Sequence, residues 1–178
     1  MSRLWDYLIL TASNDRQAEA YRAQIEKRRA LGLLSRFKEI LVLPDPQGKR
    51  IGSGGSTLWC LSEIIRLEAE KSKRLGRQPN WSEVLSERKI LIVHAGGDSK
   101  RLPAYGPCGK IFVPLPGNWS LPIPQTLFDR LIPLYTELPA EPGNMVVAGG
   151  DALILFDPSE VRFEKNGITA LGAKASPE

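Results

Sequence analysis

Short apolar runs alternate along this chain with stretches in which apolar residues recur every three or four positions. The runs are typical of buried strands, and the spaced residues are typical of amphipathic helices. The pattern predicts strands at about 3–12, 39–43, 89–95 and 145–148, weaker strands at 111–114 and 167–174, and helices at 15–30, 57–75, 81–87 and 126–138. This order predicts an α/β fold, with a mostly parallel Rossmann-like sheet, helices on both faces and no obvious closing element at its C-terminal end.

Local signals set the expected boundaries. Asn14 and Asp15 mark a helix start, and Gly32 and Gly76 mark helix ends. Proline ends the second strand, and Pro133 predicts a kink or break in the last helix. The long second helix is expected to bury one apolar face, formed by Leu58, Leu61, Ile64, Ile65 and Leu67.

Composition narrows the class of protein. The chain has 178 residues, 42% hydrophobic and 25% charged, which predicts one globular domain over residues 1–178. No run approaches the ~20 apolar residues of a membrane span, and the start is a poor signal peptide. Cys60 and Cys108 lie far apart, which favours a reducing cytoplasm over a disulfide framework.

The net charge of +4 is mild and suits a phosphate-rich ligand. It does not by itself separate a nucleotide from RNA. The basic clusters at 27–29 and 71–77 fall on helical patterns beside glutamates, so we interpret them as solvated faces and expect no nucleic-acid partner.

The most informative stretch reads LIVHAGGDSKRLPAYGPCGKIFVPLP, from Leu91 to Pro116. An apolar run ends in Gly96-Gly97, and Ser99 and Arg101 follow it. Lys110 then comes on a second glycine-flanked turn. Glycines let backbone N–H groups approach an anion, and cations neutralise its charge. A loop of this kind after a buried strand is how α/β proteins bind phosphate at the carboxyl edge of a sheet.

Two common phosphate loops do not fit. A P-loop would need glycine where Ala104 stands and Ser or Thr where Ile111 stands. The second glycine cluster, at 52–57, has Thr57 where a dinucleotide fingerprint needs its third glycine. The sequence therefore fits neither an ordinary ATPase nor an ordinary dehydrogenase.

The pattern G-G-x-x-x-R-L-P, followed by G-K and an apolar run, resembles the signature of sugar-nucleotide pyrophosphorylases. The segment HAGGDSKRLPAYGPCGK resembles the sequences of the fucose-1-phosphate guanylyltransferase family. That family includes the guanylyltransferase part of bifunctional L-fucokinase proteins. DYLILTASNDRQAEAY, LPDPQGKRIGSGGSTLWCL and AGGDALILFDP agree in order and rough spacing. Since members of the family are much longer, the chain resembles an amino-terminal fragment or a shortened relative.

The resemblance implies a GT-A-like nucleotidyltransferase fold and transfer of GMP from GTP to L-fucose 1-phosphate with Mg²⁺. The nucleophile is already an anion, so such a site needs cations, backbone donors and a metal-binding carboxylate more than a His, Ser or Cys nucleophile. A homo-oligomer, or fusion to a kinase or β-helix domain in longer relatives, is a further expectation.

Arg101 is the residue we expect to grip the triphosphate, because guanidinium binds phosphate oxygens bidentately. Gly96 and Gly97 would offer backbone amides, and Ser99 a hydroxyl. Lys110 would contact the sugar phosphate or the α-phosphate. The alternative is a basic surface loop with a solvated lysine.

The resemblance makes Asp151, after Gly149-Gly150, a Mg²⁺ ligand; the alternative is a turn or capping aspartate. Asp98 is a weaker candidate, and His94 is interpreted as a core histidine.

The second glycine cluster offers a further anion or base-edge site. Gly52, Gly54 and Gly55 open a helix, although a tight strand-to-helix turn needs the same residues. Asp45, Lys49 and Arg50 flank this cluster and are expected to help bind nucleotide. A non-catalytic nucleotide-binding module stays open as a second function.

Overall fold

The fold is taken from a computed structural model. It describes residues 4–78, 80–97, 103–106, 108–117, 122–163 and 167–172. Four strands and four α-helices lie within those residues: β1 Trp5–Ala12, α1 Asp15–Ala30, β2 Phe37–Pro44, α2 Gly52–Arg74, α3 Trp81–Ser86, β3 Ile90–His94, α4 Leu127–Thr136 and β4 Met145–Gly149. Single 3-10 turns occur at Pro46–Gly48, Pro103–Tyr105 and Lys110–Phe112.

The strands form one parallel sheet in the order β2-β1-β3-β4, so the predicted α/β class is confirmed. β1 lies inside the sheet and is buried almost throughout. Its Leu8, Ile9 and Leu10 are fully inaccessible to solvent, and burying each such side chain stabilises the fold by about 1.5–3 kcal/mol. This burial agrees with the strand that the apolar run predicts at about 3–12.

Helices cover both faces of the sheet. α1 and α4 pack on the face that carries Leu8, Leu10, Leu91 and Val93. α2 packs on the opposite face, against Tyr7, Ile9, Ile90 and Ile92. Because successive side chains of a strand point to opposite faces, neighbouring strand residues pack against helices on different sides of the sheet.

The strand order reverses between β1 and β3. From β1 the chain goes to β2 on one side, and then crosses to β3 on the other side. The register pairs Thr11 with both Leu43 and His94, so the carboxyl ends of these three strands lie together. In open parallel sheets the crevice at such a reversal is where ligands bind.

A buried guanidinium joins α1 to α4. Arg28 is 1% exposed and donates to both carboxylate oxygens of Asp129, at 2.7 Å each. Its guanidinium carbon also lies 5.1 Å and 5.5 Å from the ring centres of Phe112 and Phe128. The pair is therefore well satisfied, and it fixes the turn at Lys110–Phe112 against the two helices.

The boundaries of α1 match the sequence prediction. Asn14 accepts a hydrogen bond from the Gln17 backbone N–H, and Gly32 follows the helix with φ of 72°. The start of α2 was predicted wrongly. It begins at Gly52 and not at Thr57, so the second glycine cluster forms the first turn of the helix instead of preceding it.

The predicted buried face of α2 was also wrong in part. Its buried residues are Ser56, Cys60, Ile64 and Glu68, while Leu58 is 69% exposed. The true stripe has a spacing of four, and polar Ser56 and Glu68 belong to it because each has partners inside the protein. Hydrophobicity alone cannot identify such positions.

Three smaller predictions differ from the structure. The predicted strand at 111–114 is mostly a 3-10 turn, with one antiparallel bridge between Pro114 and Thr126. α4 continues through Pro133 to its end, so of the predicted kink or break the break does not occur. β4 is exposed on one face, at Met145 and Val147, where a buried strand was expected.

The described part of the last predicted strand, residues 167–172, has no strand conformation. Among the helices within the described ranges, none is long and apolar enough to cross a bilayer.

Candidate functional site

A pocket of about 240 Å³ opens at the carboxyl ends of β1, β2 and β3, where the strand order reverses. Its lining comes from the ends of those strands, the loops after them and the first turns of α2: Thr11, Ala12, Ser13, Asp45, Arg50, Gly52, Ser53, Ser56, His94, Gly96 and Gly97. Complete small-molecule sites usually measure about 300–1,000 Å³, so this pocket suits one part of a nucleotide better than the whole.

Gly96 is required by the close approach of two backbones. A Cβ atom there would lie 3.0 Å from the Ala12 carbonyl carbon and 3.0 Å from the Ser13 nitrogen. A larger residue would push the loop after β3 away from β1 and out of the pocket wall. Gly97 has open space where a Cβ would stand, so its wall of the pocket is bare backbone.

The opposite wall is the start of α2. Gly52 adopts φ of 71° and, with Ser53, lines the pocket, whereas Gly54 and Gly55 lie beyond the lining. The first N–H groups of a helix lack intrahelical partners and favour an anion. Of the predicted cluster, Gly52 is therefore the member placed to contact a ligand.

One carboxylate and one guanidinium belong to this wall. Asp45 accepts a hydrogen bond from the Ser56 hydroxyl at 2.7 Å, and its backbone N–H donates to the Ala12 carbonyl at 2.8 Å. Arg50 also lines the pocket. Asp45 and Arg50 line the pocket and Lys49 does not, and the expectation that these residues help to bind nucleotide stays a prediction.

His94 contributes to the pocket wall and is half-buried, which corrects its interpretation as a core residue. The Thr57 hydroxyl lies 2.9 Å from His94 Nε2 and 2.9 Å from the Ser53 carbonyl. Because that hydroxyl donates to the carbonyl, the network assigns the proton to Nε2 and leaves Nδ1 to accept from Thr11, at 3.5 Å. Burial lowers the pKa of His94, and the nearby Asp45 opposes this effect only in part. The lowered pKa favours the neutral form of the ring that the hydrogen bonds indicate.

Two of the predicted site residues meet beside this pocket. The Lys110 ammonium lies 3.4 Å from Asp151 Oδ2, although the residues are 41 positions apart. The Gly150 N–H donates to the His94 carbonyl at 2.9 Å, which brings Asp151 to the end of β3. The Lys110 side chain is 37% exposed and the Asp151 side chain is 61% exposed, so solvent screens the pair and it contributes little stability.

Three predicted residues are not described by the structure. Asp98, Ser99 and Arg101 lie outside the described residues, so their predicted roles stay predictions. The structure does bring together Gly52, Gly96 and Gly97 in one pocket, and Lys110 with Asp151 beside it.

Asp151 is the single predicted magnesium ligand within the described residues, and its role as a ligand stays a prediction. Asp151 offers an exposed carboxylate whose partner is a lysine. Within the described ranges, the surroundings of Asp151 included, no group of three or more His, Cys, Asp or Glu side chains is placed to hold a metal. Magnesium commonly takes one or two carboxylates and completes its shell with phosphates and water.

Sequence reasoning missed the residues that support the site from α1. Gln17 and Tyr21 are buried and donate hydrogen bonds to the loops after β3. A polar residue and an aromatic residue spaced by one helical turn, in the helix right after β1, were a usable signal. The sequence did not show what these two residues contact, because the loop that faces them has no periodic pattern.

Comparisons with a family model and with curated proteins indicate the same family. The family model described as the fucose pyrophosphorylase domain matches residues 82–178, more than half of the chain. A bifunctional fucokinase/GDP-fucose pyrophosphorylase of Arabidopsis thaliana is 34% identical over 93% of this chain and 17% of its own length. A fucose-1-phosphate guanylyltransferase of Homo sapiens is 35% identical over 97% of this chain and 26% of its own length.

An L-fucokinase/L-fucose-1-P guanylyltransferase of Bacteroides fragilis is 35% identical over 75% of the chain and 14% of its own length. The chain thus spans about a quarter or less of the curated relatives named here. No solved structure matches the chain at a significant level.

Proposed function

This chain belongs to the fucose pyrophosphorylase family, and from that premise we propose that it forms the GTP-binding part of a fucose-1-phosphate guanylyltransferase. In the proposed reaction an oxygen of L-fucose 1-phosphate forms a bond to the α-phosphorus of GTP. The bond from that phosphorus to the bridging oxygen of the β-phosphate breaks, and pyrophosphate leaves with the electron pair. The products are GDP-L-fucose and pyrophosphate.

The observation that carries the proposal is the position of the pocket. It lies where the strand order reverses, with bare glycine backbone on one wall, a helix start on the other, and the Lys110–Asp151 pair beside it. A polyphosphate fits such walls because N–H donors and cations surround it.

The residues then have separable tasks. Gly96, Gly97 and the start of α2 bind phosphate oxygens through backbone amides, and Arg50 neutralises negative charge from the pocket wall. Lys110 approaches the reacting phosphates as a point charge once it leaves Asp151. Ser99 and Arg101 would add a hydroxyl and a guanidinium from the loop between Gly97 and Pro103.

The metal we propose is Mg²⁺, held by Asp151 together with phosphate oxygens. When bound, it would neutralise charge on the pyrophosphate that leaves. The compartment we propose is a reducing cytoplasm, which the free state of Cys60 and Cys108 supports.

A direct test is binding of GTP to this chain by calorimetry, followed by pyrophosphate release with L-fucose 1-phosphate and Mg²⁺. We expect Arg50→Ala to weaken GTP binding by about tenfold or more, the loss of ~1.4 kcal/mol of binding free energy. The matched control is Arg66→Ala, an exposed arginine further along α2 that pairs with Glu63 and Glu70. If millimolar GTP does not bind the wild-type chain, the proposal is wrong.

A second candidate, a nucleotide-binding module without activity of its own, is favoured by one observation. The chain spans only 14–26% of the three relatives named above, so groups needed for transfer can lie in the rest of such proteins. GTP binding without pyrophosphate release would support this candidate for the chain in isolation.

A further inference from the structure

Helix α1 holds the loop after β3 at two points that lie on either side of residues 98–102. The first limb of this loop is residues 95–97, and the second limb is residues 103–106 with 108–110. Gln17 is 4% exposed, and its amide Nε2 donates to the Gly97 carbonyl at 3.1 Å and to the Gly106 carbonyl at 3.2 Å. One side-chain amide therefore ties the first limb to the second.

The orientation of that amide is fixed by its other end. Gln17 Oε1 accepts hydrogen bonds from the Ser13 backbone N–H at 2.9 Å and from the Ser13 hydroxyl at 3.1 Å. Because Oε1 is held by two donors, the NH₂ group must face the loop. All the hydrogen-bonding groups of this buried side chain are thus used.

Tyr21, one helical turn further on, repeats the arrangement. Its hydroxyl donates to the Ala95 carbonyl at 2.7 Å, and its ring packs edge-on against Phe112 at 5.3 Å. A Cβ on Gly109 would lie 1.8 Å from that hydroxyl oxygen, so the second limb passes directly over the tyrosine. Burial raises the pKa of Tyr21, so it stays a donor at neutral pH.

These contacts have an electrostatic consequence for an anion. The carbonyls of Ala95, Gly97 and Gly106 all point toward α1, and carbonyl oxygens would repel phosphate. No peptide bond in the described ranges is cis, so the N–H of Gly96 points opposite to the Ala95 carbonyl, away from Tyr21. The three carbonyl dipoles are thus directed toward α1, while the N–H of Gly96, a residue of the pocket lining, faces away from that helix.

We propose that Gln17 and Tyr21 are positioning residues, which hold the two limbs so that Gly96 N–H and Lys110 face the same ligand. This inference rests on the proposed function, since it assumes that the ligand is the triphosphate of GTP. Neither residue contacts the ligand itself. Their effect passes through the loop.

Gln17→Glu is the sharpest test, because it changes an NH₂ group to an oxygen with no change of size. The variant keeps an acceptor for both Ser13 donors and loses both donors to the loop. The matched control is Gln24→Glu on the same helix, where Oε1 accepts from Arg28 at 2.9 Å and a carboxylate is tolerated. Both variants carry the same change of charge.

We expect amide hydrogen exchange over residues 95–110 to become at least tenfold faster in Gln17→Glu and to stay unchanged in Gln24→Glu. GTP should bind at least tenfold more weakly to the first variant alone, with strand exchange unaltered in both. Tyr21→Phe, which keeps the ring and removes one hydrogen bond, should give a smaller change of the same kind and serves if Gln17→Glu does not fold.

Unchanged exchange in both test variants, or unchanged GTP affinity despite faster exchange, would overturn the inference. The outcomes separate this inference from the proposed function. If the wild-type chain binds no GTP, the proposed function fails, and with it the positioning role. The exchange data then still decide whether α1 ties the limbs together.

Discussion

Lys110 and Asp151 form an ion pair of 3.4 Å at the carboxyl edge of the sheet, next to the end of β3. Each was singled out from its own local motif, and nothing in the sequence spacing required them to meet. Their contact is the structural relationship on which the proposed placement of the reacting phosphates depends. A cation and a carboxylate side by side are suited to sharing one polyanion and its metal.

Lys110→Ala should lower the rate of pyrophosphate release by tenfold or more, in any assembly of the chain that is active, because a charge facing the transition state is lost. The free energy of unfolding should change by less than about 0.5 kcal/mol, since the side chain is partly exposed and its ion pair is weak. Steady-state rates and thermal melts measure the two effects separately.

The matched control is Lys38→Ala. Lys38 forms a comparable surface pair with Asp6, at 2.7 Å, but near the start of the strands and away from the pocket. Equal loss of activity in both variants would mean that general charge, and not the position of Lys110, matters.

The pH dependence of stability should carry a contribution from His94. Burial lowers its pKa below the ordinary 6.5, so the unfolded chain takes up a proton before the folded chain does. The contribution is present above pH 6.5 and is lost as pH falls below it, by up to about 1.4 kcal/mol per pH unit. Thermal melts between pH 7.5 and pH 5.5 measure it.

His94→Asn should flatten the melting temperature over that interval, because the sequence contains one histidine. The absolute stability of the variant does not matter for this comparison, only its slope with pH. A slope equal to that of the wild type would show that another group titrates there.

Glu68 should produce a second, more acidic transition. Burial by itself would raise the pKa of Glu68, but hydrogen bonds from Lys71, Tyr7 and Arg88 outweigh it and lower the pKa to about 2. The resulting stability is present above pH 4.5 and is lost as pH falls toward 2. Glu68→Gln should remove this dependence and cost about 1–3 kcal/mol at pH 7 in urea unfolding.

Glu70→Gln, on the same helix, is its control. Glu70 pairs with Arg66 at 2.6 Å on the exposed side, and such pairs contribute only about 0.3–0.5 kcal/mol. A loss as large as that in Glu68→Gln would contradict the importance of burial.

Two glycine-to-alanine changes should have opposite effects. Gly109→Ala meets the Tyr21 hydroxyl and requires φ of 68°, so we expect it to destabilise the fold and to displace Lys110. Gly54→Ala has open space inside α2 and should stabilise the chain by about 0.5–1 kcal/mol without changing GTP affinity. Urea unfolding and calorimetry distinguish the two.

Much of the fold could be predicted because strong local signals coincide with burial. The boundaries of α1 follow from Asn14 and Gly32, and β3 follows from an apolar run that is buried on both faces. The start of α2 could not be predicted in the same way. Its glycines have low helix propensity, and the helix there is fixed by contacts such as that of Ser56 with Asp45.

The site residues also differ in whether a local motif identifies them. Glycines and cations with local motif character, such as Gly96 and Lys110, are visible in the sequence. The roles of Gln17 and His94 depend on partners 80 and 37 residues away, so only the sheet topology reveals them. Long-range partners of this kind carry no periodic pattern.

The exposed face of β4 has a practical consequence. Within the described part of the chain β4 is an edge strand of the sheet, and its apolar side chains Met145 and Val147 are 41% and 47% exposed. Exposed edge strands can pair with strands of other molecules. We therefore expect the purified chain to associate through this strand and its solutions to become turbid as the protein concentration is raised.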